Sequence, residues 1–168
     1  MIAPILVLTA VTAERVAELQ YAKHNTARLM AHGAVENSPG HYPLIVALHA
    51  VWLAGLWLFA WNRPIHWGWL GLFVLLQVLR AWVLITLKGR WTTRIIIVPG
   101  ETLIRQGPYR LIRHPNYFVV VCEIATLPLA FGLPLFAAVF TLANSVLIAI
   151  RVRAETAALA TVSRAAAS

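Results

Sequence analysis

The sequence predicts an all-α integral membrane protein of about five transmembrane helices, the last two folded as a hairpin, with a polar loop before that hairpin. Three observations predict it. Of the 168 residues, 60% are hydrophobic and the mean hydropathy is +0.74. Only 12% are charged, against about 25% in a soluble domain. The apolar runs are continuous rather than alternating, which favours helices over strands as the way to satisfy the backbone in lipid. At this length a single domain, residues 1–168, is the natural count.

A helical span takes ~20 apolar residues. The first is expected at about 3–22, opening on the apolar run Ile2 to Val11. That run lacks a basic leader and a small-residue cleavage site, so it reads as a retained helix rather than a removed signal. Glu14 and Glu18 share one helical face there, as in a span whose end rises amphipathically into the headgroups. Asn37-Ser-Pro-Gly40 marks a loop. The second and third spans are expected at about 42–61 and 66–87, parted by the turn Asn62-Arg-Pro64. Tryptophans near their ends resemble an aromatic belt. The polar loop 88–116 carries six of the fourteen basic residues, and its β-branched run Ile95 to Val98 could be a short extended segment. From Tyr117 to Ile150 there is one charge, Glu123, in 34 residues. That is too long for one crossing, and Gly132-Leu-Pro134 divides it into spans at about 117–133 and 135–150.

The net charge is +8, from fourteen Lys and Arg against six Asp and Glu. These basic residues flank apolar runs, as juxtamembrane anchors touching membrane lipids do. No basic, soluble-looking stretch exists to bind nucleic acid. The basic loop and the basic tail belong on one side, so five spans place the N-terminus outside and the C-terminus in the cytoplasm. Cys122 stands alone, so no intrachain disulfide forms, and it reads as a packing residue.

The segment Gly107-Pro-Tyr-Arg-Leu-Ile-Arg-His-Pro-Asn-Tyr117 is the chemically richest of the chain. Gly107 permits a tight turn, Pro108 fixes the next φ, and Pro115 drives His114 toward an extended conformation. Arg113 can hold a carboxylate with two parallel N–H bonds. His114 can exchange a proton near neutral pH. Tyr109 and Tyr117 can stack on an aromatic or cationic ligand. Such a pre-shaped polar segment reads as the cofactor and reaction centre of a membrane enzyme; the competing reading is a loop whose arginines touch phospholipid. Arg151 and Glu155 share a helical face, where the carboxylate could bind a ribose diol or a sulfonium, or simply form a surface ion pair. His49, Gln77, Arg80, Glu123 and Asn144 fall inside apolar runs, where such groups face a cavity or a partner. Glu123 is a candidate to face the pocket, or to pair with Arg80; Arg80 could also snorkel to the interface. The histidines form no metal-binding cluster and no Cys/His zinc spacing occurs, so no metal is expected.

The central motif resembles the signature of the isoprenylcysteine carboxyl methyltransferase family. The resemblance extends in that family's short bacterial branch to Glu14-Arg15, His24-Asn25, Gly33-Ala-Val-Glu36 and His41-Tyr-Pro43 in the first half. It continues through Arg90-Trp-x-Thr-Arg94 and Val98-Pro-Gly-Glu101 to Arg151-x-Arg-x-Glu155. It implies a bacterial inner-membrane enzyme that uses S-adenosylmethionine, with Gly107, Pro108, Tyr109, His114, Pro115, Tyr117 and Glu155 around the cofactor. Arg113 would orient a lipid-like acceptor entering from the bilayer. The branch is associated with O-methylation of alkylpyrones and alkylresorcinols. A carboxylate acceptor needs no base, whereas a phenol does, and His114 or Glu123 are the local candidates, so the catalytic set is Arg113, His114 and Glu123. The chain departs from the family pattern at Thr156, Thr92 and Val119, where Glu, Asn and Gly are common. Other readings to be weighed are phospholipid amine methylation, a reductase of the sterol-reductase type, and a non-enzymatic transporter or scaffold.

Overall fold

Five α-helices follow one another in the computed structural model, which describes residues 2–37, 39–99 and 104–165. They are α1 (Ile2–Ala31), α2 (Tyr42–Ala60), α3 (Trp67–Leu87), α4 (Pro115–Ala130) and α5 (Pro134–Ala165). Among the described residues, three segments are long and apolar enough to cross a membrane: Tyr42–Ala60, Trp67–Arg90 and Pro134–Ala158. The apolar α4 has 16 residues. The 30-residue α1 is long enough but carries Glu14, Arg15 and Glu18 near its middle.

The middle helices begin and end close to where the sequence places them, but α1 and α5 run further. No Gly or Pro interrupts the chain between Pro4 and Gly33, so the polar residues after Tyr21 continue the helix to Ala31. The last helix likewise passes the expected end at 150 to reach Ala165, through an Ala-rich stretch of high helix propensity. Pro115 and Pro134 stand at the starts of α4 and α5, where a missing N–H leaves no bond unmade. Between these two helices the chain turns on Gly132, at φ +66. The amides of Gly132 and Leu133 bond back to Leu129 and Pro128, closing α4 as a left-handed residue does.

The helices pack around two apolar clusters. One joins Leu8 and Val11 of α1, Trp52 and Leu56 of α2, Phe73 of α3, and Ile124, Leu127 and Phe131 around α4. Near it the 61–66 connection is tied to α4 by the amide of His66 donating to Ala130 at 2.7 Å. The second cluster, Ala22, Val83 and Trp91, lies at the other end. There the expected extended segment forms β2 (Ile96–Ile97), antiparallel to β1 (Val35–Glu36), pairing Val35 with Ile97 and Glu36 with Ile96. Large apolar side chains such as Leu58, Leu75, Val78 and Ile85 point outward, the pattern of helices solvated by lipid. The connections after α1 and α3 and the C-terminal part of α5 thus gather at one end, where the polar motif lies.

Candidate active site

The motif begins by pressing onto the end of α3. Gly107 has φ +56, and a Cβ there would lie 2.6 Å from Thr86 Oγ1 and 3.2 Å from Trp82 Nε1. Both the dihedral and the space exclude a larger residue. Residues 107–110 form one 3₁₀ turn with Pro108 buried. Tyr109 packs beside the Val83 and Trp91 cluster. Burial, and then the nearby Glu155 carboxylate, push the Tyr109 phenol above its usual range, so it stays protonated. The chain surfaces at Leu111 to Arg113 and dives again at the buried Pro115.

The two ends of the motif converge on α5. The His114 and Tyr117 rings stack, with centroids 5.6 Å apart and planes at 28°. The Tyr117 hydroxyl donates to Glu155 and accepts from Arg151 Nε at 2.8 Å. The Arg151 guanidinium lies 5.6 Å from the centre of the same ring. Arg151 and Glu155 therefore turn inward onto Tyr117 rather than standing as a surface pair. Arg113 is exposed, and His114 is half-buried. Among the expected site residues, Tyr109, His114, Tyr117 and Glu155 are brought together, and Gly107, Pro108 and Pro115 shape the loop that carries them.

A cavity of about 270 Å³ opens beside Tyr117, between α1, α2, α4 and α5, with residues 91–93 across it. Its walls are mainly apolar, from residues such as Leu19, Ile45, Trp52, Val120 and Ile148. Tyr117, Asn116 and Arg151 border it on one side; Arg15, Glu18, Arg80 and His49 also reach it.

Arg15, Glu18 and Arg80 belong to one ion-paired set with Glu123, in which Arg15 Nε and Glu123 Oε1 are buried without a hydrogen-bond partner among the described residues. Arg80 Nε and Nη2 donate to Glu18, the latter at 2.6 Å, while Nη1 donates to Glu123 Oε2 at 2.9 Å. Arg15 donates to the same two carboxylates, to Glu18 at 2.9 Å and to Glu123 at 2.8 Å. Gln77 Nε2 donates to Glu14. Arg80 does not snorkel: it is 6% exposed. Two carboxylates within reach make the interior the better place for its guanidinium. Glu123 is held by both arginines and is not among the residues bordering the cavity. The sequence offered one half of this set, Arg80 with Glu123; Arg15 and Glu18 were missed, although charges three apart in an apolar helix were the signal.

Apart from Glu14-Arg15, which pairs within the helices, the scattered segments of the first half find partners in the central loop. Asn25 Nδ2 donates to the Trp91 carbonyl at 2.9 Å, and Tyr21 stacks on the Trp91 ring at 6.0 Å. Glu36 pairs with Arg94 at 2.8 Å, which holds that guanidinium charged. Tyr42 and Thr93 share a hydrogen bond of 3.2 Å, and the Arg94 guanidinium lies 4.6 Å over the Tyr42 ring. Thr92 borders the cavity, but its hydroxyl donates to the Arg94 carbonyl at 2.7 Å, so it supports the loop. Val119 is buried in the helix contacts. Ser38, Gly100 and Glu101, parts of the expected loops, lie outside the described residues.

The profile of the Isoprenylcysteine carboxyl methyltransferase (ICMT) family matches residues 69–161. The chain belongs to this family. It is thus a membrane protein of a methyltransferase family whose enzymes normally use S-adenosylmethionine. YpbQ of Bacillus subtilis (strain 168), described as uncharacterized, is 35% identical over 160 residues, covering 92% of this chain and 95% of its own. No solved structure matches. The ICMT match spans α3 to α5 and the motif loop between them. It leaves out α1 and α2, which supply Arg15, Glu18, Tyr42 and His49 to the cavity.

Proposed function

We propose that this protein is an S-adenosylmethionine-dependent O-methyltransferase acting on an oxygen, carboxylate or phenol/enol, of a lipid-like acceptor that enters from the bilayer. The observation that carries the reading is the convergence of Tyr109, His114, Tyr117 and Glu155 beside one apolar-walled cavity at the polar end of the helices. All five helices are proposed to cross a bacterial inner membrane, with the N-terminus outside and the C-terminus cytoplasmic. The basic loop and tail at one end support that orientation.

The residues present fit the cofactor. Aromatic faces at Tyr109 and Tyr117 suit a sulfonium, and the Glu155 carboxylate suits a ribose diol. Gly107, Pro108 and Pro115 fix the turns that bring these groups together. S-adenosylmethionine, when bound, supplies an electrophilic methyl group. The protein supplies alignment and the exclusion of water, which carry much of such an acceleration. The apolar walls admit an alkyl chain, and Tyr117 with Arg151 stands where cavity and cofactor site adjoin. Arg113, exposed before Pro115, is proposed to hold an acceptor carboxylate; a phenol would not need it. His114 is proposed to act on the acceptor or cofactor from its stack on Tyr117. Glu123 is proposed to act through Arg15 and Arg80.

Calorimetry of S-adenosylmethionine binding to the detergent-purified protein, with a reduced dinucleotide as control, tests this. Micromolar binding that is lost in the Tyr117→Phe/Glu155→Gln double variant, and turnover abolished by His114→Ala in a folded protein, are the expected results. Binding of the dinucleotide instead would favour a reductase. Binding of neither to folded protein would leave a non-enzymatic role.

A further inference from the structure

The cavity contains a ring nitrogen that the motif does not supply. His49 lies in α2 on the face that also carries Tyr42, Ile45, Val46 and Leu53 to the cavity. It stands seven residues from Tyr42, or about 10 Å further along the helix at 1.5 Å per residue. Its Nδ1 lies 2.8 Å from the Ile45 carbonyl oxygen. A carbonyl only accepts, so Nδ1 carries the hydrogen and Nε2 holds the free lone pair. Nε2 makes no hydrogen bond among the described residues, and it is not among their sealed, unpartnered polar atoms. The charged and titratable groups that share the cavity with it are Arg15 and Glu18 from α1, Tyr42 from α2, Arg80 from α3, Tyr117 from α4, and Arg151 from α5. The cations there would favour an anion forming on a ligand beside the imidazole. Glu18, the one carboxylate bordering the cavity, already accepts from both Arg15 and Arg80.

We infer that His49 Nε2 is the general base for a phenol or enol acceptor whose alkyl chain lies along the apolar wall of this cavity. The inference rests on the methyltransferase reading and narrows its acceptor to the class that must lose a proton. As the new O–C bond forms, the acceptor O–H proton passes to Nε2. The C–S bond of the sulfonium breaks with its electron pair kept by sulfur, leaving a neutral thioether. The proton then leaves the imidazolium for water, and the protein is unchanged.

The test uses the full-length protein in detergent or vesicles. Its acceptors are 5-pentadecylresorcinol, a nitro-substituted and more acidic analogue of it, and palmitic acid. His49→Gln is expected to bind S-adenosylmethionine as the parent does, yet to lose roughly 100-fold or more in kcat with the resorcinol, the span of general-base contributions. The loss should shrink with the nitro analogue, whose proton leaves without help. The acid-side fall in the parent's pH–rate profile should disappear in the variant. His49→Ala should regain turnover on adding imidazole. Equal losses with both phenols, or an unchanged rate and pH profile, would overturn the base while leaving the methyltransferase standing. A parent that methylates palmitic acid alone would overturn the acceptor class. If both variants fail to fold, a parent profile with no acid-side fall at all, down to the pH at which the protein unfolds, would overturn the inference by itself. A folded parent that binds no S-adenosylmethionine would fail the broader reading and this inference with it.

Discussion

Two polar clusters lie within these helices, and they are built on opposite principles. The deep one is built of ion pairs: Arg15 and Arg80 each reach both Glu18 and Glu123, while Arg15 Nε and Glu123 Oε1 are buried without a hydrogen-bond partner among the described residues. The one at the polar end is asymmetric: Tyr117 is shared between Arg151 and Glu155, with His114 stacked on its face and Arg113 out in solvent. The ion-pair set fixes the relative positions of three helices, α1, α3 and α4. An open set of aromatic faces and a carboxylate, next to a cavity, has capacity to bind. The difference teaches that opposite charges paired across helices hold a membrane protein together, whereas aromatic faces and a single carboxylate at its polar end can take a ligand.

The comparison breaks most visibly if one arginine is removed from the deep cluster. Arg80→Met should destabilise the protein by about 3–5 kcal/mol, because Glu18 and Glu123 lose a buried partner. Thermal denaturation in detergent reads this. Replacing Arg15, Glu18, Arg80 and Glu123 together by apolar residues of similar size should recover most of the loss, as buried ion pairs replaced whole often are near neutral. A quadruple variant as unstable as the single one would mean that the set does more than neutralise itself.

The polar-end cluster should respond in binding rather than in stability. Glu155→Gln is expected to weaken S-adenosylmethionine by roughly 10- to 100-fold, about 1.4–2.8 kcal/mol, with little change in melting temperature. Calorimetry beside the melting curve checks both. Gly107→Ala should lower stability by about 1 kcal/mol or more, because the site has φ +56 and lies against Thr86. Its cofactor affinity should fall as well, since the loop would be pushed off α3. The smallest effect is expected at Arg94→Gln. That pair with Glu36 is 40% and 22% exposed at its two side chains, so about 0–1 kcal/mol is at stake, less in high salt. A larger loss there would show that the tie between β1 and the central loop matters more than its exposure indicates.

Much of this molecule was legible before any coordinates. Hydropathy located α2, α3 and the paired segments of the last third, because an apolar run of fixed length has one stable form in lipid. Pro115, Gly132 and Pro134 marked boundaries because their backbone limits are local. The far ends of α1 and α5 were not legible: a polar or Ala-rich run is helical or frayed according to what it packs against. Tyr109, His114, Tyr117 and Glu155 were singled out as candidates by motif and spacing. The pairing of Arg80 with Glu18 was not legible, since an ion pair across 62 residues of sequence leaves no local pattern.

By itself, then, the sequence determined the class of protein, the order of its helices and the residues able to bind or exchange protons. Those follow from composition, periodicity and side-chain chemistry, which each residue carries with it. Tertiary structure alone decided which polar groups neutralise one another and which are left facing a cavity. Arg80 goes inward because Glu18 and Glu123 arrive from two other helices. His49 keeps a free ring nitrogen because Ile45, one turn away, takes the other. Pairing depends on distance in space, and space is fixed only when the helices pack.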